Sequence, residues 1–183
     1  KMTMNFKQAG DVIYLIGVSR EDINSSEYLH KIHAIEFSPA PHFDLEEEFG
    51  LQRTIEKLIH EKLVVSAHDV SEGGLFVTLT ESGFNNNLGY SVDTNKSIRT
   101  DAYLFGEAQS RVVVSVANEK AAAIETLFNT SSIAFEKLGT VTEGVITIDG
   151  NNWGTIFDWK NKYDNAIGNL LAGHESEQAL TAL

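Results

Sequence analysis

The chain has 183 residues, 42% of them hydrophobic, with 14 Lys and Arg against 26 Asp and Glu, a formal charge of -12 and no cysteine. That size supports one core and a single domain over residues 1–183, with the tail 173–183 expected to fray. The acidic field disfavours nucleic acid, the absent thiols exclude disulfides and thiolate catalysis and disfavour structural zinc, and no run approaches the ~20 apolar residues of a membrane span. A soluble, cytoplasmic protein is expected, and Lys1 in place of Met leads to the expectation of a processed chain or, in preference, a piece excised from a longer one.

Residues 12–18, VIYLIGV, form a continuous apolar run rich in β-branched side chains, which predicts a strand buried on both faces. Residues 44–62 repeat apolar positions at helical spacing behind Asp44, a candidate N-cap, and the acids Glu46, Glu47 and Glu48 suit the positive end of that helix. Residues 63–67, LVVSA, predict a second strand running straight into His68 and Asp69, and a helix is predicted from 71 to 82 with Gly83 as its stop. A weak strand at 90–93, a short helix at 100–105 and the clearest strand, RVVVSVA at 111–117, follow. Then come a helix at 119–128, two strands at 135–141 and 145–149 joined through Glu143 and Gly144, and a last helix over 153–171. Strands and helices alternate, but the late strand pair lacks an intervening helix. The predicted fold is therefore α+β, a layered α/β/α domain with a mixed sheet.

Two segments can carry chemistry. In SAHDVSEGGL, residues 66–75, a strand delivers His68 and Asp69 to a rim, and Gly73 and Gly74 lead into a helix. N–H groups at such a turn can approach an anion, and Asp69 can hold a magnesium ion that bridges phosphates. The same spacing also serves structure alone, with Asp69 or Ser71 capping the helix and the glycines permitting close packing. In LFGEAQSRVVVSV, residues 104–116, the polar Glu107, Gln109, Ser110 and Arg111 precede a buried strand. Glu107 and Gln109 can hydrogen-bond a ribose or an amide, and Arg111 can grip a phosphate or carboxylate with two bonds. The alternative is a polar turn closed by an ion pair between Glu107 and Arg111. No nucleophile-elbow, Walker, Rossmann or zinc motif occurs, so no catalytic residue is assigned.

SAHDVSEGGL resembles the C-terminal domains of the aminoimidazole ribonucleotide synthetase superfamily. Together with LFGEAQSRVVVSV it is similar to the phosphoribosylformylglycinamidine synthase branch, in its large synthetase subunit (formylglycinamide ribonucleotide amidotransferase). GDVIYLIG at 10–17, SEYL at 26–29, PAPHFDLEEE at 39–48 and LGTVT at 138–142 extend the likeness in family order. The resemblance implies a fragment of an ATP-dependent carbon–nitrogen ligase of purine biosynthesis. In that reaction a formyl amide is phosphorylated and ammonia from glutamine displaces the phosphate. ATP or ADP and magnesium would serve the whole enzyme, with His68, Asp69, Ser71, Gly73 and Gly74 at the nucleotide and Asp69 on the metal. Glu107, Gln109 and Arg111 would face the substrate.

The implied partners are upstream A and B domains of the same subunit, a glutaminase subunit and a small accessory subunit. The principal catalytic histidine would lie upstream, so the chain alone is expected to be inactive. Ala108 stands where the family's first B-domain carries Ser, and Asn24-Ser25 where Gly-Gly is usual. Both departures imply a copy relaxed from direct catalysis. A non-catalytic scaffold of the same superfamily, or a selenophosphate or thiamine-phosphate branch, are the alternatives.

Overall fold

The computed structural model describes the backbone of residues 1–130 and 133–181 and the side chains of residues 1–130 and 133–172. Its elements are β1 (Val12–Ile16), α1 (Glu27–His33), α2 (Leu45–His60), β2 (Ser66–Asp69), α3 (Gly74–Phe84), β3 (Gly89–Val92), α4 (Thr100–Phe105), β4 (Val112–Val116), α5 (Ala121–Thr130), β5 (Phe135–Thr142), β6 (Val145–Ile148), β7 (Asn151–Thr155) and α6 (Ile156–Thr181). A 3-10 turn, Asn118–Lys120, leads into α5. The backbone of α6 continues to Thr181, and the fraying expected of residues 173–183 falls on positions outside the described side chains.

The strands form one seven-stranded sheet in the order β2-β4-β1-β5-β3-β6-β7. Every pairing is antiparallel except β3 with β6, so the sheet is mixed as predicted. All five residues of β1 are buried. Val12, Tyr14 and Ile16 pack with Leu51 and Leu58 of α2 and with Ile124 and Phe128 of α5. Ile13 and Leu15 face the other way, towards Leu75 and Leu79 of α3, Tyr103 and Leu104 of α4 and Ile156 at the start of α6. The period-2 alternation of a strand thus places a helical layer on each face, and each fully buried Leu or Ile contributes about 1.5–3 kcal/mol.

Three boundaries and one strand pairing differ from the sequence reading. The second strand begins at Ser66 rather than at Leu63, because Lys62 takes a left-handed backbone (φ 55°) and the Leu63 N–H closes back on Leu58 O at 2.9 Å. Leu63 therefore belongs to the turn that caps α2, and His68 and Asp69 belong to the strand. α3 begins at Gly74, after a turn in which the Gly74 N–H donates to Ser71 O at 3.0 Å. β5 and β6 are not neighbours: β3 inserts between them, placing Tyr90 in the core with its hydroxyl 3.0 Å from Thr80 Oγ1. Residues 151–155 form a strand, and α6 starts only at Ile156, where Thr155 Oγ1 accepts the Asp158 N–H and donates to its carboxylate. The polar stretch after β1 also holds a short helix, α1, with Ser26 as N-cap and no buried residue.

Candidate functional site

β2 pairs with β4 so that His68 lies opposite Val113 and Asp69 opposite Val112. Successive strand residues face opposite ways, which separates the two side chains. His68 turns towards α3: its Nδ1 is 3.2 Å from both Thr78 O and Ser82 Oγ, its Nε2 is 3.7 Å from the Glu81 carboxylate, and only 12% of its side chain is exposed. The expectation that His68 reaches the rim with Asp69 is corrected on this ground. Asp69 is exposed on the opposite face and lines an open cleft of about 550 Å³.

That cleft unites the two segments singled out in the sequence. Asp69, Ser71 and Glu72 line one side, and Glu107, Gln109, Ser110 and Arg111 line the other. Phe43, Glu48 and Leu51, from the entrance and first half of α2, form a third border. Ser110 takes a left-handed backbone (φ 62°) and donates from Oγ to Glu48 Oε2 at 2.8 Å, tying two borders together.

The glycine turn is engaged within the chain. Gly73 and Gly74 have φ of 79° and 66°, a region that costs a residue with a Cβ about 1–2 kcal/mol. A Cβ on Gly74 would lie 2.8 Å from Leu104 O, from Phe105 C and from Gly106 O, so the turn sits directly on the end of α4. The Gly73 N–H donates to Glu107 Oε1 at 2.9 Å. With the Gly74 N–H on Ser71 O, both N–H groups that the sequence offered to an anion have internal partners.

Arg111 is 3% exposed and donates from Nε to Ala108 O at 3.1 Å and from Nη2 to Gly106 O at 2.6 Å. Burial pulls its guanidinium below arginine's usual value, while nearby Tyr103 and Glu136 draw it back up. The guanidinium is committed to its own loop, and among the described residues Glu107 and Arg111 form no ion pair, which corrects the expected alternative of a turn closed by that pair. The Asp69 carboxylate and the Gln109 amide, by contrast, have no hydrogen-bond partner among the described residues and are exposed.

The lining therefore combines four carboxylates, on Glu48, Asp69, Glu72 and Glu107, with one guanidinium turned to carbonyls. Such a surface repels a bare phosphate and accepts one that arrives with a divalent cation. No group of three metal-ligating side chains occurs among the described residues. Asp69 fits the one-carboxylate share that magnesium takes when phosphate oxygens and waters complete its octahedron. Phe43 and Glu48 were missed as site residues because the pattern around them reads as a helix start. The signal was there: an apolar residue before the N-cap normally packs against an apolar fourth helical residue, and here that position is Glu48, which leaves Phe43 51% exposed.

The family profile of the AIR synthase related protein, C-terminal domain, matches residues 8–149. The chain belongs to that family. Among its relatives, the phosphoribosylformylglycinamidine synthase subunit PurL of Alkaliphilus metalliredigens is 41% identical over 151 residues, covering 81% of this chain and 20% of the relative. The Symbiobacterium thermophilum PurL subunit is 42% identical over 144 residues, covering 76% of this chain and 18% of the relative. This AIR synthase related domain thus spans about a fifth of the length of the relatives it matches. Among solved structures, Thermotoga maritima PurL complexed with FGAR superposes with a TM-score of 0.73 at 17% identity, over 87% of this chain and 29% of that one. The same Thermotoga protein with ATP gives 0.65 at 17% identity over 85% and 26% of the two chains, and the Thermotoga PurLQS structure gives 0.62 at 21% over 80% and 24%. At those identities the likeness shows the fold: an α+β domain with a mixed sheet, of the aminoimidazole ribonucleotide synthetase type.

Proposed function

We propose that this chain is the C-terminal domain of a PurL-type synthetase subunit and supplies one wall of a nucleotide cleft completed by an upstream domain. The reaction of the whole enzyme converts the formyl amide of formylglycinamide ribonucleotide into an amidine. ATP phosphorylates the amide oxygen, ammonia derived from glutamine adds at that carbon, and phosphate leaves. Asp69 would take one position on a magnesium ion, which when bound offsets the charge of the nucleotide phosphates. Gln109 and Ser71 stand where a ribose or amide could be hydrogen-bonded, while His68, Gly73, Gly74 and Arg111 shape the wall from behind. A glutaminase subunit and a small accessory subunit are the proposed partners, in keeping with the Thermotoga PurLQS assembly. A cytoplasmic location is part of the proposal; no helix among the described residues is long and apolar enough to cross a membrane.

One observation carries the reading. The two segments most similar to the PurL branch converge on one open cleft, in which Asp69, Ser71, Glu72 and Gln109 present side chains without a hydrogen-bond partner among the described residues, while the Gly73 N–H and the Arg111 guanidinium are engaged within the chain. The isolated chain is expected to release ADP only at background level from Mg-ATP, formylglycinamide ribonucleotide and ammonia. Robust turnover by the purified chain would overturn the proposal. A second reading, a scaffold domain without ligand, is favoured by the fit of Gly74 against Leu104, Phe105 and Gly106, and it predicts no nucleotide binding in any company.

A further inference from the structure

The geometry points to a role for Glu107 outside ligand contact: its carboxylate is a clasp, and Glu107 is a positioning residue that joins the start of α1 to the glycine turn before α3. A single oxygen, Oε1, accepts the Glu27 N–H at 2.8 Å and the Gly73 N–H at 2.9 Å. These partners lie 80 and 34 residues away in sequence, so one side chain closes two long loops at once. Neither donor has another route to satisfaction inside its helix. Glu27 is the first residue of α1 and Gly73 is the N-cap of α3, and N–H groups at those positions have no intrahelical acceptor. A carboxylate there also sits favourably at the positive ends of both helices.

The aim of that carboxylate is set by its neighbours. Arg111 donates to the carbonyls of Gly106 and Ala108, the residues immediately before and after Glu107, and so fixes the backbone on both sides of it. Gly106 is itself pressed against other backbone, since a Cβ there would lie 2.4 Å from both Ala102 O and Asp22 O. The end of α4, the loop before α1 and the glycine turn therefore meet at one point, with Glu107 as the polar link between them. Of the residues that the sequence offers to a substrate, Arg111 and the Oε1 of Glu107 hold the wall, whereas Gln109 is exposed on the cleft with no hydrogen-bond partner among the described residues.

Amide hydrogen exchange in the 183-residue chain tests this without any substrate, so the outcome is independent of the proposed enzyme. In the wild type, Glu27 and Gly73 should be protected although they open their helices. Because both bonds end on one oxygen, Glu107→Gln keeps the acceptor and should protect both amides to within about twofold of wild type. Glu107→Ala should lose protection at both by about tenfold or more, with Tyr14 and Val114 in the paired central strands unchanged. Should Glu107→Ala not fold, Glu107→Asp carries the test: one methylene shorter, it cannot reach both donors, and at least one amide should lose protection to the same degree. The clasp is refuted if Glu107→Ala leaves both amides protected, if Glu107→Gln behaves like Glu107→Ala, or if the loss spreads evenly to Tyr14 and Val114.

Discussion

On one side of the cleft the glycine turn before α3 meets residues 104–111 through backbone contacts that a single added methyl group would break. The border that carries Phe43 and Glu48 forms a second side, and residues 37–49 around it leave Phe37, Phe43, Leu45 and Phe49 more than half exposed, at 89%, 51%, 68% and 55%. The first side is satisfied by its own chain: Glu107 takes two N–H groups, Arg111 serves two carbonyls, and Gly74 touches three residues. The second side holds its backbone with polar ties, such as the Asp44 cap and the Arg20–Glu47 ion pair at 2.7 Å, while its apolar groups face water. The contrast separates a preformed wall from a lip whose aromatic surface is suited to being covered by another body.

Substitutions on the two sides should differ accordingly. The largest effect is expected for Gly74→Ala, which adds a left-handed strain to a clash with backbone that cannot swing away. A loss of about 3 kcal/mol in urea unfolding is expected. Gly10→Ala, also at positive φ (91°) but with nothing within 4 Å of the added carbon, should cost about 1 kcal/mol and so isolates the clash from the strain. Equal losses at the two glycines would remove the distinction between a packed wall and an ordinary turn. Next, Arg111→Met leaves the Gly106 and Ala108 carbonyls without their donor and should cost about 2 kcal/mol by the same measurement.

The β6–β7 turn gives a yardstick remote from the cleft. Burial pushes the Asp149 carboxyl up, but Lys96 at 2.6 Å and the Thr94 N–H and hydroxyl outweigh it and hold the group below its usual value of 3.8. A carboxyl depressed in the folded chain contributes stability above its unfolded value and loses it as the pH falls through its folded value. Asp149→Asn should therefore cost about 1 kcal/mol at pH 7, and the two unfolding curves should converge below about pH 4. A gap that persists in acid would assign the effect to geometry instead of charge. Smallest of all, Phe37→Ser in the segment leading to the lip should change stability by less than about 0.5 kcal/mol, since a side chain 89% exposed has little burial to lose. A loss comparable to that of Arg111→Met would mean that the lip is already packed.

The elements that were legible in the sequence were those whose own pattern decides them. VIYLIGV marked a strand covered on both faces, and the stripe from Leu45 to Ile59 marked a helix, of which the half from Leu51 to Ile59 packs on the core while Leu45 and Phe49 stay exposed. What local pattern could not decide was pairing and aim. The insertion of β3 between β5 and β6 is a long-range choice, since the turn at Glu143-Gly144 fits a hairpin equally well. The strand at Asn151–Thr155 hides in a polar stretch with no alternation, although Thr155 and Asp158 carried a readable helix start.

At the site, SAHDVSEGGL and LFGEAQSRVVVSV named the segments that meet, but residue type alone cannot say whether a polar head faces a ligand or its own backbone. His68 and Asp69 are adjacent and both polar, and only the register of β2 against β4 sends one inward and one outward. Glu107 and Arg111 look like a binding pair in sequence, yet each finds its partners among backbone groups brought in from elsewhere in the chain or around the loop.

A preformed wall whose Asp69 and Glu72 carboxylates have no partner among the described residues should bind nucleotide only in company. Calorimetric titration with Mg-ADP, of the chain alone and of the chain joined to the upstream domain of a PurL subunit, reads this directly. Binding is expected only in the joined protein, weakened about tenfold or more by Asp69→Asn. Binding of equal strength to the isolated chain, or none in either form, would contradict a shared cleft in which Asp69 meets the metal.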